Sequence, residues 1–155
     1  MDSTKNLTVG QVVELIDNSI SQFAKTGKVD RDSMNSITYA VSLDVKLRDY
    51  LLGLPAEGYS LEQCKLFLNH ILLLANQDEI HPLLTILSAW EFEAGDEYKS
   101  HLAEALSLEP NYSLALLLTR VFASYDSLEM SNLRKQLHPK VRTDLEGMKD
   151  LLISA

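Results

Sequence analysis

Four histidines, one cysteine and two close carboxylate pairs are the residues of this chain that could carry chemistry. His70, His81, His101 and His138 form no H-E-x-x-H motif and no pair four residues apart, so no helix face presents two imidazoles. Zinc needs three or four nitrogen or sulfur ligands brought together. A lone Cys64 can supply neither a cysteine cluster nor an intramolecular disulfide. No metal and no cofactor is expected. His81 and His138 each precede a proline, which points to helix junctions. Cys64 falls on the apolar side of its helix, where a thiol is usually inert, although a first-turn position is also where a thiol pKa can fall. Glu91 and Glu93, like Asp96 and Glu97, stand two residues apart or fewer. Such residues do not face one another on a helix, so neither pair converges as a general acid and base. They read as exposed helix faces and N-terminal turns. With no glycine-rich phosphate loop and no G-x-S-x-G elbow, no catalytic residue is assigned.

Composition narrows the classes further. The chain has 155 residues, 46% of them hydrophobic, and a net charge of −8. That is enough for a sizeable core, and the charge argues against general binding to nucleic-acid phosphates. Bases gather in the last third, at Arg120, Arg134, Lys135, Lys140, Arg142 and Lys149. Asp144, Glu146 and Asp150 interleave with them, so the run reads as a solvated helix face. The first residues lack the apolar core of a signal peptide, and no apolar run reaches the ~18 residues of a membrane span. The expectation is a cytoplasmic protein acting away from membranes and nucleic acids.

Hydrophobic periodicity and punctuation predict an all-α fold of about eight helices. They would form a single compact array of antiparallel hairpins over residues 8–155, with 1–7 a loose tail. Thr8 with Gln11 and Ser60 with Gln63 have capping-box spacing. Val12, Ile16, Ile20 and Phe23 stripe the first helix, which Gly27 ends. Asp30 or Asp32 starts a second helix with Met34, Ile37 and Val41 inside, and Ser42 caps a third with Leu43, Leu47, Tyr50 and Leu51 inside. Gly53–Leu54–Pro55–Ala56–Glu57–Gly58 is the clearest break, and 53–59 is a candidate hinge. Leu61, Cys64, Phe67, Leu68 and Ile71 give the next helix a broad apolar face.

The stretch His81–Phe122 reads as three tightly joined helices and organises the rest. Pro82 suits a first turn, and Leu83, Leu87, Trp90 and Ala94 make one stripe. Gly95 stops that helix, Asp96 caps the next, and Asn111 or Ser113 caps the one after Pro110. Leu114, Leu117, Leu118, Val121 and Phe122 then form an amphipathic face expected to cover Trp90. Asp126 starts another helix with Leu128, Leu133 and Leu137, which His138–Pro139 should interrupt before a last one carrying Val141, Leu145, Met148, Leu151 and Leu152.

Ala105-Leu106-Ser107-Leu108-Glu109-Pro110-Asn111-Tyr112 resembles the closing half of a tetratricopeptide repeat. The upstream positions of that repeat fall on Pro82, Thr85, Ile86 and Ala89, which do not match it, and no copy recurs at a period of about 34. The likeness is therefore to one helical hairpin. A second set is Val45-Lys46-Leu47-Arg48-Asp49, Ala89-Trp90, Gly95-Asp96, Ala105-Leu106 and Pro110-Asn111-Tyr112-Ser113-Leu114-Ala115-Leu116-Leu117. In that order it is similar to the C-terminal helical part of an uncharacterised actinobacterial domain-of-unknown-function family. The resemblance implies a helical fold and brings no activity.

Two functions fit these observations. The first is a non-catalytic interaction or scaffold module that binds a protein partner or its own copy, since stacked helical hairpins present binding surfaces. The second is a small-molecule-binding protein or enzyme with a pocket between helices. Phe92 is the residue to watch. It lies ~180° around its helix from Leu83, with Thr85 and Ser88 on the same far side. Either Phe92 packs into a second layer, against Phe67 or Ile71, or it is exposed. In the exposed case Thr85, Ser88, Glu91 and Phe92 form a partner-binding patch.

Overall fold

Most helices here start on a side chain that the sequence announces. In a computed structural model, which describes residues 6–77 and 79–153, the eight α-helices found there are α1 (Val9–Thr26), α2 (Arg31–Leu43), α3 (Val45–Leu52), α4 (Leu61–Leu74), α5 (His81–Ala94), α6 (Lys99–Leu108), α7 (Ser113–Ser124) and α8 (Ser127–Met148). Reciprocal capping boxes open α1 (Thr8 with Gln11), α4 (Ser60 with Gln63) and α8 (Asp126 with Glu129). Asp30 caps α2 by accepting from the Ser33 N–H at 2.9 Å. Gly27 and Gly95 end α1 and α5 at φ 73° and 77°, a left-handed conformation that other residues adopt only with strain.

Other starts differ from the sequence reading. Asp44, not Ser42, caps α3, accepting from the Lys46 and Leu47 N–H groups at 2.8 and 3.2 Å. Asp96 does not cap α6. It reaches across to Lys65, and Glu97 accepts from Lys99 and Ser100 instead, at 2.6 and 3.1 Å. Neither Asn111 nor Ser113 caps α7, which begins after Tyr112 without a side-chain cap.

α5 lies at the centre. Every residue from Pro82 to Trp90 is buried, and the helix packs against α2, α3, α4, α6, α7 and α8. An apolar surface all round a helix requires such a place. The main core joins α1–α4 with Leu83, Ile86, Leu87 and Trp90 of α5 and Leu145 of α8. A second cluster sets Ala89 of α5 against Leu102, Leu114, Ala115, Leu118, Phe122 and Met130.

Trp90 is fully buried, but not beneath α7 as its stripe suggested. It faces α3, where its indole N–H donates to the Leu52 carbonyl at 2.9 Å. Ala89, one residue back, meets α7 instead. The sequence stripe correctly required a partner surface. With α5 enclosed on all sides, the choice of partner fell to α3.

The C-terminal helix does not break at Pro139. α8 runs unbroken for 22 residues with Pro139 inside it, although an interior proline disfavours a helix by ~3 kcal/mol or more. Tertiary anchors hold both sides of the proline. Arg134 binds Glu93 of α5, while His138 and Arg142 bind Glu57 of the 3₁₀ turn Leu54–Glu57. α8 returns across α1, α3 and α5, and the described ends of the chain meet. The Val9 N–H donates to the Leu151 carbonyl at 2.8 Å, and the Ile153 N–H to the Leu7 carbonyl at 3.1 Å. Of the tail expected over 1–7, residues 1–5 lie outside the described residues, and Leu7 packs on the core.

The segment 53–59 is pinned at several points. Leu54 is fully buried, and Glu57 is held by two α8 side chains. Gly53 lies so close to the His138 imidazole that a Cβ there would collide with the ring. The main core runs continuously on both sides of this segment.

Candidate functional site

Successive helices pack as neighbours along most of the chain, but α7 and α8 make at most marginal contact with each other. Only Tyr125 and Asp126 connect them, and both rest on α5. The result is a groove of about 210 Å³ with α7 as one wall, α8 as the other and the end of α3 as its floor. α7 contributes Leu114, Leu117, Leu118 and Val121. α8 contributes Met130, Leu133, Leu137 and Val141, and α3 contributes Leu52. Each wall is a helical stripe at i, i+3, i+7 spacing that would ordinarily be covered. Leu117 and Leu137, at the rims, are 53% and 52% exposed.

Polar groups sit in the groove's depth. Arg134 is 6% exposed, and its Nε and Nη2 grip Glu93 in three hydrogen bonds of 2.9–3.0 Å. The Glu93 side chain is wholly buried. Burial makes this two-pronged geometry necessary, because each ion has left water and must find its compensation in the other. The remaining terminal nitrogen of Arg134, Nη1, is buried without a partner in the chain. Arg48 lines the α3 end, paired with Asp49 at 3.0 Å and set over the Tyr112 ring at 5.9 Å. The sequence reading took Glu93 for an exposed helix face and Arg134 for part of a solvated one. Both are buried, and no local pattern could reveal a pair 41 residues apart.

Beside the groove, Tyr50, His138 and Glu57 converge. The Tyr50 ring lies tilted against that of His138 at 5.6 Å, and His138 Nε2 meets the Glu57 carboxylate at 2.6 Å. Burial alone would raise the Glu57 carboxyl, but its bonds from Arg142 and His138 outweigh that and hold it below its ordinary value. Tyr50 donates to Asp17 at 2.6 Å, and burial followed by that bond pushes the Tyr50 phenol up. Burial raises Asp17 as well, against the opposing pull of that same bond. This constellation resembles a catalytic one in residue types only. The imidazole is 5% exposed, with one nitrogen held by Glu57 and the other pressed on Gly53. It fastens the 3₁₀ turn to α8. A second cleft of about 180 Å³, beside Tyr50 and Arg142, is rimmed by Glu14, Glu146 and Lys149.

The patch expected at Thr85, Ser88, Glu91 and Phe92 does not form a surface. Thr85 and Ser88 are fully buried, donating to the carbonyls of His81 and Thr85 at 2.8 and 2.7 Å. Glu91 is held by the His101 imidazole at 2.8 Å. Phe92 is half-buried in the second layer, stacked on Phe122 at 4.4 Å with Tyr98 edge-on at 5.1 Å. Its partners are these two rings, not Phe67 or Ile71, which belong to the main core. Phe92→Ala is expected to lower stability by roughly 2–3 kcal/mol, less than the ~3–5 of a fully enclosed phenylalanine. Urea denaturation followed by circular dichroism checks it, and an unchanged midpoint contradicts the packing role.

Cys64 is buried, and burial pushes its thiol up to about 12, far from a thiolate. The four histidines are dispersed over α4, α5, α6 and α8. Among the described residues no three His, Cys, Asp or Glu side chains gather as a metal site, and no helix is long and apolar enough to cross a membrane. Compared with known proteins, the chain matches no family model, no curated protein and no solved structure.

Proposed function

We propose that this chain is a non-catalytic interaction module whose α7–α8 groove receives an amphipathic helix of a partner protein. The observation that carries the reading is the pair of apolar helical stripes, both seated on α5, whose inner residues Leu118 and Met130 are buried in one cluster while Leu117 and Leu137 stay about half exposed over the groove. A third helix laid between them would cover both, as helix-in-groove recognition does elsewhere. Leu117 and Leu137 would close over its apolar face. The inter-helix pocket of an enzyme is less well supported, because the polar atoms of the Tyr50–His138–Glu57 group are engaged with one another, Asp17 and Arg142, and the His138 imidazole is only 5% exposed. The likeness to the actinobacterial family over residues 43–122 supplies no activity to weigh against this. The cytoplasm remains the proposed location, where a lone buried thiol such as Cys64 stays reduced.

Leu117→Asp combined with Leu137→Asp tests the reading. Both side chains are about half exposed, so folding should change little. Cross-linking in the native cell should join α7 and α8 of the parent chain to a partner helix, and the double variant should lose those links. Links that persist in the variant, or that map to other faces only, overturn the proposal.

A further inference from the structure

We infer that the helix received by the groove is acidic, with carboxylates flanking its apolar stripe; the inference rests on the groove reading above. The chain as a whole carries −8, so a bare acidic surface would repel such a partner. The rims are the exception. Arg120 follows the exposed Leu117 by three residues on α7, and Lys140 follows the exposed Leu137 by three on α8. Residues three apart are surface neighbours on a helix. Each rim leucine therefore has a cation beside it, and both cations are exposed and form no ion pair among the described residues.

The carboxylates near the groove are already engaged. Asp49 serves Arg48, Asp144 serves Lys46, Glu93 serves Arg134, and Glu129 caps the Asp126 N–H. Asp144, already bonded to Lys46, also lies within electrostatic reach of Lys140, whereas no ion pair holds Arg120 among the described residues. In the groove's depth, Arg134 carries the unpartnered Nη1. A buried guanidinium N–H without an acceptor is costly, and an acceptor brought by the partner would relieve it. Apolar walls with cationic rims select an amphipathic helix with acidic flanks and reject one with basic flanks, since like charges at a docked rim oppose binding.

Two helix-forming peptides with the same leucine stripe test this, one flanked by Glu and one by Lys, with fluorescence anisotropy as the readout. The Glu peptide should bind the parent chain about tenfold or more tightly than the Lys peptide, and the gap should narrow in about 0.5 M salt. In Arg120→Glu combined with Lys140→Glu, which alters exposed residues only, the preference should reverse. Equal binding of both peptides overturns the acidic inference and leaves the groove reading standing. Binding of neither overturns both. Binding to vesicles of phosphatidylglycerol, lost in the charge-reversed variant while both peptides fail to bind, also overturns both and assigns the face to a lipid surface.

Discussion

Glu93→Ala is expected to destabilise the protein by about 3–5 kcal/mol, the range seen when one partner of a buried ion pair is removed. The Glu93 side chain has no exposure and that of Arg134 only 5%, so the lone guanidinium left behind could not recover its hydration. The loss is a large fraction of the 5–15 kcal/mol by which a typical domain is stable. Because Arg134 anchors α8 five residues before Pro139, the C-terminal half of α8 should open first, and amide hydrogen exchange there should rise. The companion variant Glu93→Leu with Arg134→Met should stay near parental stability, because replacing both ions with apolar groups removes the desolvation penalty together with the attraction. Chemical denaturation of the three proteins measures this. A Glu93→Ala protein as stable as the parent would mean that Arg134 finds water or another acceptor.

Trp90→Ala should have an effect of similar size, about 3–5 kcal/mol. The indole is fully enclosed, and truncation opens a cavity where α3 meets α5. It also strips the Leu52 carbonyl of its donor at the end of α3, where the helix itself supplies none. Trp90→Phe separates the two contributions. It keeps most of the ring and loses the N–H, and it should forfeit roughly 1–3 kcal/mol for the orphaned carbonyl. As Trp90 is the sole tryptophan, the parent's fluorescence reports its own burial, with native emission blue-shifted and moving red in urea. Emission already red in the native protein would contradict the enclosed position.

Local signals carried the helices because they act over three or four residues. A capping box at Thr8 or Ser60 closes within one turn, and Gly27 and Gly95 stop a helix through their own φ angle. The cap assigned to Asp96 failed for a reason of longer range. Its carboxylate had a cation available on α4, Lys65, and Glu97 stood in for it locally. Pro139 shows the same limit from the other side. Proline's local preference says break, while Glu93 and Glu57, far away in the chain, hold α8 together through Arg134, His138 and Arg142.

The amino-acid sequence by itself determined that this chain is all-α, that the Leu83–Leu87–Trp90 stripe must be covered, and that Trp90 and Cys64 belong inside. Periodicity and total apolar content decide those points, and both are properties of the chain read locally. Which surface met which was decided only in three dimensions. Trp90 went to α3 rather than α7, Thr85 and Ser88 went inside, and Phe92 found Phe122 and Tyr98. The groove belongs to the same class. The stripes of α7 and α8 are legible as apolar faces, but a stripe states only that it seeks cover. That both rest on α5 and join at Met130, yet leave Leu117 and Leu137 exposed, depends on how every other helix is already packed there.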